Sequence, residues 1–208
     1  MYKVVGFDLF GTLFSLDEAI SKGKILKEKL DIHEFEVFNK HWLNWHRNSY
    51  SLETFLDNIN EELGSNLDER KLELIKWRVT LEKPKLYSDV LPTLERLRKD
   101  NYTLVLLTNS SPSAKDLFQN EKDLSKLFKS TFWSFENGFM KPEYEAFDNM
   151  IRNININKEE LLYVGDSYSQ DYQGAKKSGI DTLLLDRSGK YPLISERIGN
   201  LLEIKKFI

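Results

Sequence analysis

Short apolar runs alternate with longer amphipathic segments along much of this chain. The run Val4-Val5-Gly6-Phe7 is too short for an ordinary helix and contains β-branched residues, so it predicts a buried parallel strand. Later apolar runs predict further strands at 102–107, 131–135, 161–164 and 182–185. Helices are predicted at about 90–99, from Pro112 with Ser111 as N-cap, at 143–153 and at 168–178. This alternation is typical of a parallel α/β sheet.

Residues 15–85 follow a different pattern, because apolar residues recur there at three- and four-residue spacing without a strand signal. The spacing predicts four helices. Ser15–Glu18 has the form of a capping box for the first helix, Asn66 with Glu69 is expected to cap the fourth, and Pro84 is expected to end the segment. Residues 15–85 are therefore predicted to be a small helical bundle inserted after the first strand. Three aromatic residues of this bundle either line a pocket or form its core: Trp42, Trp45 and Tyr50.

The composition narrows the possible functions. Hydrophobic residues make up 40% of the 208, which is enough for a sizeable core. The balance of 30 Lys and Arg against 33 Asp and Glu gives a net charge of −3, which does not favour nucleic-acid binding. No apolar run approaches the ~20 residues that span a membrane, and the amino terminus does not resemble a signal peptide, so a cytoplasmic protein is expected. The absence of cysteine excludes disulfides, thiol nucleophiles and cysteine-bound metals.

Polar residues follow three of the predicted strands at the point where each strand ends. Asp8 follows the first strand, and Thr108 and Ser110 follow the second. Asp166 comes just after 161–164, with Asp171 five residues further on. Ligands of open α/β sheets bind outside the carboxyl ends of the strands, so these residues are expected to meet in one site.

Four motifs occur in order: Phe7-Asp8-Leu9-Phe10-Gly11-Thr12-Leu13, Thr108-Asn109-Ser110, Lys141-Pro142 and Gly165-Asp166-Ser167-Tyr168-Ser169-Gln170-Asp171. Each one alone has a structural explanation, such as a turn residue, a surface lysine or a carboxylate at a helix start. The ordered set resembles the haloacid dehalogenase-like (HAD) hydrolase superfamily over the whole chain. The resemblance implies an α/β fold with a modified Rossmann core, formed by 1–14 and 86–208, and a helical cap formed by 15–85. It also implies that Asp8 attacks the substrate and forms a covalent aspartyl intermediate.

The resemblance further implies a Mg²⁺ cofactor. Asp8, the backbone carbonyl of Phe10 and Asp166 would bind this ion, and Asp171 would complete or orient the site. Such hard oxygen ligands suit Mg²⁺, which retains several water ligands and also binds the oxygens of a substrate phosphate. A cation would also offset the repulsion between a carboxylate nucleophile and a phosphate dianion.

Other site residues follow from the same resemblance. Lys141 would hold the nucleophile and neutralise charge. Thr108 and the backbone amides of Asn109 and Ser110 would donate hydrogen bonds to the oxygens of the transferred group. Thr12 would stiffen the loop that carries the nucleophile.

Phe10 departs from the pattern of the family's phosphatases, which usually have an aspartate there as general acid and base. A phenylalanine side chain cannot transfer a proton, and losing that step typically costs ~10²–10⁴-fold in rate. Asp166 and Asp171 favour a Mg²⁺-dependent phosphatase acting on a small phosphorylated metabolite, and this is the preferred function. Phe10 implies that the leaving group needs little protonation, as in an activated ester or an acyl phosphate.

Two other functions stay open. The 2-haloacid dehalogenases of the superfamily have an aromatic residue at the position of Phe10 and work without metal, and Arg47 is the nearby candidate for their halide-binding arginine. Asp166 and Asp171 instead match the two-carboxylate pattern of the magnesium-dependent members. The third possible function is binding: the chain would be a member with little catalytic activity that binds a phosphorylated ligand or a protein partner. The sequence specifies neither the substrate nor the oligomeric state.

Overall fold

Six parallel strands form one sheet in the order β3-β2-β1-β4-β5-β6. The computed structural model describes residues 1–64, 67–80 and 85–208, apart from the Glu18 side chain. The strands are β1 (Val4–Phe7), β2 (Thr103–Thr108), β3 (Ser130–Trp133), β4 (Leu161–Gly165), β5 (Asp181–Leu185) and β6 (Arg197–Ile198). Strands β2 and β3 follow on one side of β1, and strands β4, β5 and β6 follow on its other side. The topological switch point therefore lies beside β1.

Side chains alternate between the two faces of the sheet, as the period of a strand requires. Val5 and Phe7 pack into one hydrophobic layer, whereas Val4 packs into the layer on the opposite face. Both layers are closed by helices, which confirms the predicted α/β fold. The helices of this part of the chain are α5 (Val90–Lys99), α6 (Pro112–Asn120), α7 (Lys122–Ser125), α8 (Ser134–Asn137), α9 (Tyr144–Ile154) and α10 (Gly174–Lys177), with 3₁₀ helices at Lys158–Glu160 and Leu201–Lys206.

Two features of the sheet region differ from the prediction. The short strand β6 pairs with the end of β5 and was not predicted, because two residues carry no measurable periodicity. The helix predicted at 168–178 begins with a π-helical turn, Tyr168–Gln173, before α10. In that turn the carbonyl of Ser167 accepts hydrogen bonds from the amides of both Asp171 and Tyr172.

The described residues of 17–79 form four α-helices with a hydrophobic core of their own. These helices are α1 (Asp17–Lys29), α2 (Ile32–Trp45), α3 (Leu52–Leu63) and α4 (Glu69–Val79). Trp45 and Phe55 stack at 4.6 Å in the centre of this core, and Trp42 and Tyr50 pack against it half-buried. These aromatic residues therefore serve the helix core. No helix in the described parts of the chain is long and apolar enough to cross a bilayer.

The helix ends correct one prediction and leave three predicted roles outside the described residues. Ser15 does not cap α1, because its hydroxyl bonds to Asp17 and the N-cap position is occupied by Leu16 without a side-chain bond. Asp68 caps α4 through the Lys71 amide. The proposed roles of Asn66 and Pro84, like the Glu18 half of the first capping box, lie outside the described residues.

The two connections between the four helices and the sheet region lie at one place. Ser15 N donates to the carbonyl of Lys85 at 2.8 Å, and Tyr87 N donates to the carbonyl of Leu13 at 3.1 Å. The two connections thus run side by side, directly after the loop that carries Asp8.

Candidate active site

Asp8 lies at the carboxyl end of β1, beside the switch point of the sheet. Its amide donates to the carbonyl of Val164 at 3.0 Å, which fixes the residue against the neighbouring strand β4. Only 7% of Asp8 is exposed. The main chain thus holds a buried carboxylate at the edge where open α/β sheets bind ligands.

Lys141 makes three polar contacts through its ammonium group. The Nζ atom lies 2.6 Å from Asp8 Oδ1, 2.6 Å from Asp171 Oδ1 and 3.0 Å from the hydroxyl of Tyr163. That hydroxyl also lies 3.0 Å from the carbonyl of Leu107, to which it donates. The three ammonium hydrogens therefore each have a partner, and the cation is fixed between two carboxylates. Tyr163 was not predicted, because within a strand its polar tip has no sequence signal.

Asn109 holds the backbone of Lys141 from the end of β2. Its side-chain Oδ1 accepts from Lys141 N at 2.9 Å, and its Nδ2 donates to Lys141 O at 2.8 Å. This pair of bonds is a positioning contact that the sequence did not indicate.

The neighbouring residues of the second motif are also hydrogen-bonded. Thr108 Oγ1 lies 3.0 Å from Ser110 Oγ. The amide of Ser110, expected to bind substrate oxygens, instead donates to Ser134 Oγ at 3.1 Å. Ser134 was not predicted, since it follows β3 without a recognisable motif.

Three carboxylates meet above the ends of β1 and β4. Oxygen atoms of Asp8, Asp166 and Asp171 all lie within 4.8 Å of one another. Thr12 Oγ1 lies 3.5 Å from Asp166 Oδ1 as its hydrogen-bond donor, and Ser167 N donates to Asp171 Oδ2 at 2.9 Å. The second contact orients Asp171 with its other oxygen toward Lys141.

Two glycines make room for these carboxylates. A Cβ atom on Gly11 would overlap the carboxylate of Asp166, and a Cβ atom on Gly165 would overlap that of Asp171. Gly11 also has a φ angle of 89°, which glycine adopts at low cost. The glycines are therefore a steric condition for the carboxylate cluster.

Burial and like charges perturb the ionisation of the cluster. Burial raises the pKa of Asp8 to about 6; Lys141 opposes this rise and Asp171 adds to it. Burial and the charges of Asp8 and Asp171 raise the pKa of Asp166 to about 7. Burial alone would lower the pKa of Lys141, but the two carboxylates together hold it above its ordinary value. One cation thus compensates three carboxylates only in part.

The chain matches the model of one protein family over most of its length. Residues 2–179 match the haloacid dehalogenase-like hydrolase family. The chain belongs to this family. It is a hydrolase by that membership, as the order of its motifs predicted.

Individual members of the family resemble the chain at low identity. Glyceraldehyde 3-phosphate phosphatase of Methanopyrus kandleri is 27% identical over 202 residues, covering 86% of this chain and 84% of that protein. Several other phosphatase relatives match about half of this chain and less than half of their own length. A HAD phosphatase from Thermococcus onnurineus has a TM-score of 0.69 at 25% identity, covering 99% of this chain and 97% of that one. A 2-haloacid dehalogenase from Pseudomonas syringae has a TM-score of 0.73 at 22% identity, with coverages of 99% and 97%, and shares the fold.

The donor set of this HAD-family site fits a hard divalent cation. Asp8, Asp166 and Asp171 offer carboxylate oxygens only, which is the ligand type that Mg²⁺ prefers. Burial, together with the neighbouring carboxylates, raises the pKa values of Asp8 and Asp166, and Lys141 offsets these rises only in part. A bound divalent cation would supply the missing positive charge.

The cluster opens into a cleft of about 490 Å³. Phe10 lines this cleft and packs against Phe14 with ring centroids 6.0 Å apart. Among the described residues of 15–85, Leu16 alone lines it. The remaining walls come from the loops that follow β1, β2, β4 and β5: Asp8, Thr108, Asn109, Asp166, Ser167, Tyr168, Ser169, Gln170, Asp171 and Tyr191.

Arg47 lies in the helical segment and contacts a loop of the sheet region. Its guanidinium forms a two-pronged ion pair with Glu143 and donates to the carbonyl of Gly138 at 3.1 Å. Glu143 Oε2 also accepts from the amide of Met140 at 2.9 Å. Arg47 is thus engaged in tying the helices to the loop that carries Lys141, and it is not part of the cleft lining described above.

Proposed function

We propose that the chain is a Mg²⁺-dependent phosphatase that forms a covalent aspartyl phosphate on Asp8. The observation that carries this proposal is the buried Asp8 carboxylate, 2.6 Å from Lys141 Nζ and clustered with Asp166 and Asp171. Such a cluster combines a nucleophile with oxygen ligands for a cation, which would offset the negative charge of a phosphate dianion.

The proposed reaction has two displacements at phosphorus. An oxygen of Asp8 forms a bond to phosphorus while the bond from phosphorus to the leaving oxygen breaks, and the electron pair departs with that oxygen. The oxygen of a water molecule then bonds to phosphorus while the bond from phosphorus to the Asp8 oxygen breaks. A proton of that water passes to the solvent, inorganic phosphate leaves, and the Asp8 carboxylate is restored. Lys141 keeps the Asp8 oxygen in position throughout, and Asn109 holds the main chain of Lys141. Thr108 and the amide of Asn109 are the proposed donors to the transferred oxygens.

The proposed metal ligands are Asp8, the backbone carbonyl of Phe10, Asp166 and Asp171. A bound Mg²⁺ would supply Lewis-acid stabilisation of the negative charge on the transferred group. We further propose that residues 1–14 and 86–208 act as the hydrolase core and residues 15–85 as a cap. The separate hydrophobic core of the four helices supports this division.

Phe10 limits the substrates of the proposed phosphatase. Its side chain lines the cleft where a general acid would act, and it carries no proton to donate. Small phosphorylated metabolites with leaving groups of low basicity are therefore the proposed substrates, because their oxygens depart without protonation.

A 2-haloacid dehalogenase is the second candidate, and the aromatic Phe10 is the observation that favours it. The three clustered carboxylates and the ion pair of Arg47 with Glu143 weigh against it, because the candidate halide-binding arginine already has an anionic partner. A binding protein without turnover is the third candidate. The hydrogen-bonded ion pair of Lys141 with Asp8 favours a catalytic role over a role in binding alone.

The experiment that tests the proposal measures hydrolysis of p-nitrophenyl phosphate with millimolar Mg²⁺ and with excess chelator. Activity should disappear with the chelator and return with Mg²⁺. Asp8→Asn should abolish turnover while the melting temperature stays close to that of the wild type, and the exposed-site control Asp57→Asn should keep full activity. Full activity in the chelator, together with halide release from a 2-haloacid, would instead establish the dehalogenase.

A further inference from the structure

Three tyrosine rings form a nearly parallel stack beside the cleft. The ring centroids of Tyr172 and Tyr168 lie 5.7 Å apart with an interplanar angle of 20°. Those of Tyr168 and Tyr191 lie 5.0 Å apart with an angle of 17°. Tyr168 and Tyr191 both line the cleft that contains Asp8, so the stack ends at the site.

The inner end of this tyrosine stack is anchored. Tyr172 is buried, and its hydroxyl donates to Glu196 Oε2 at 3.1 Å. Lys176 Nζ donates to the same hydroxyl at 2.7 Å and lies 4.6 Å from the centroid of the Tyr172 ring. The anchored ring keeps the outer rings oriented before a ligand arrives, which reduces the ordering cost of binding.

We infer that the leaving group of the substrate is a flat aromatic ring, bound against Tyr191 at the outer end of the stack and against the edge of Tyr168, so that the substrate class is an aryl phosphate. This inference rests on the proposed phosphatase function. Stacked aromatic rings favour offset or edge contacts with a further ring, in addition to the burial of its apolar surface. The cleft also has room for such a group, because its volume of about 490 Å³ lies within the usual range for small-molecule sites.

The identity of Phe10 supports the same substrate class independently. A phenolic oxygen leaves as a weakly basic, resonance-stabilised anion and therefore needs little proton transfer, whereas an alkyl alkoxide strongly needs an acid. Phe10 supplies no acid and adds a third aromatic side chain to the lining of the cleft. Recognition of the ring and the chemistry of its departure thus point to one kind of ester.

The experiment compares phenyl phosphate with acetyl phosphate, whose leaving group also needs no acid but has no ring. Tyr191→Leu should raise the KM for phenyl phosphate about threefold to tenfold and leave the KM for acetyl phosphate within about twofold of the wild type. Tyr191→Phe keeps the ring and should keep the wild-type KM for both esters. Tyr144→Leu removes an exposed tyrosine outside the cleft and should change neither value.

Each other outcome has a defined meaning. A parallel loss on both esters in Tyr191→Leu, or an unchanged KM for phenyl phosphate in a folded variant, would overturn the inference and leave the phosphatase function standing. If Tyr191→Leu does not fold, a changed KM for phenyl phosphate in Tyr191→Phe would overturn it, and a lower KM in Tyr191→Trp would support it. Failure of the wild type to hydrolyse either ester with Mg²⁺ would overturn the proposed function and the inference together.

Discussion

Phe10 occupies the position where a single side chain would decide which esters can be cleaved. Phe10→Asp should raise the turnover of glycerol phosphate far more than that of p-nitrophenyl phosphate, because only the alkyl leaving group strongly needs a proton. General acid catalysis is typically worth ~10²–10⁴-fold, which sets the ceiling for the gain. The measurement is the ratio of kcat for the two esters in wild type and variant.

Phe10→Asn is the matched control for this change, since asparagine has the same shape as aspartate but carries no ionisable proton. It should leave the ratio at the wild-type value. Thermal melts of both variants must first show a folded protein, because Phe10 packs against the hydrophobic core. An unchanged ratio in folded Phe10→Asp would contradict the proposed phosphatase mechanism.

The positions of individual site residues were predictable where a simple rule applies. Asp8, Thr108 and Asp166 lie at strand ends, and the carboxyl ends of parallel strands meet at one edge of the sheet. Tyr163 and Ser134 were not predictable, because their contacts depend on which strands become neighbours. The Asn109 clamp on Lys141 was missed for the same reason, since it joins residues 32 positions apart.

Helix α2 ends at a buried histidine that makes the stability of the helical segment depend on pH. His46 packs on Trp42 with ring centroids 4.3 Å apart, and its Nδ1 lies 2.7 Å from the Trp42 carbonyl as donor. Burial lowers the pKa of His46 to about 4. Its unfolded value is about 6.5, so the unfolded chain binds the proton first as the pH falls. The contribution of His46 to stability is therefore fully present above pH 6.5 and is lost progressively down to about pH 4.

His46→Asn keeps a donor near the position of Nδ1 but cannot titrate. Between pH 7 and pH 4.5, the change in unfolding free energy should be about 2 kcal/mol more favourable in the variant than in the wild type. Urea denaturation at the two pH values measures this difference. His33→Asn, at an exposed position of the same helix, should show the same change in unfolding free energy as the wild type over this range. Equal pH dependence in His46→Asn and wild type would show that the buried ring does not control it.

The type and order of the secondary-structure elements were largely predictable, whereas their ends were not. Strand β4 is buried at every residue and stands out as an apolar run, but β6 is held only by pairing with β5. The start of α2 was predicted only from an interruption in the spacing of apolar residues, although Asp31 and Glu34 form a capping box there. Local side-chain bonds of this kind decide a helix end, and apolar spacing does not record them.

For the chain as a whole, the carboxylate cluster predicts that a divalent cation stabilises the folded state. A ligand that binds only the folded protein at 100 times its Kd adds about 2.7 kcal/mol, which for this size corresponds to a rise in melting temperature of roughly 5–10 °C. Mg²⁺ should therefore raise the melting temperature of the wild type. The measurement is a thermal melt across a Mg²⁺ series.

Asp166→Asn should lose most of this rise, because it removes one of three clustered carboxylates. Asp57→Asn, at an exposed site of α3, should keep the full rise. The same rise in Asp166→Asn and wild type would place the stabilising ion elsewhere and contradict the proposed ligands. This readout does not depend on finding a substrate.

The two connections between the sheet and the four helices lie side by side, joined by hydrogen bonds from Ser15 to Lys85 and from Tyr87 to Leu13. The covalent connections of the helices are thus gathered at one place, and the ion pair of Arg47 with Glu143 links the helices to the sheet region at a second place. Excision of the insert would leave two chain ends that are already adjacent. Exchange of residues 15–85 for another segment would therefore require no change in the threading of the strands, which would allow the proposed core and the proposed cap to diversify separately.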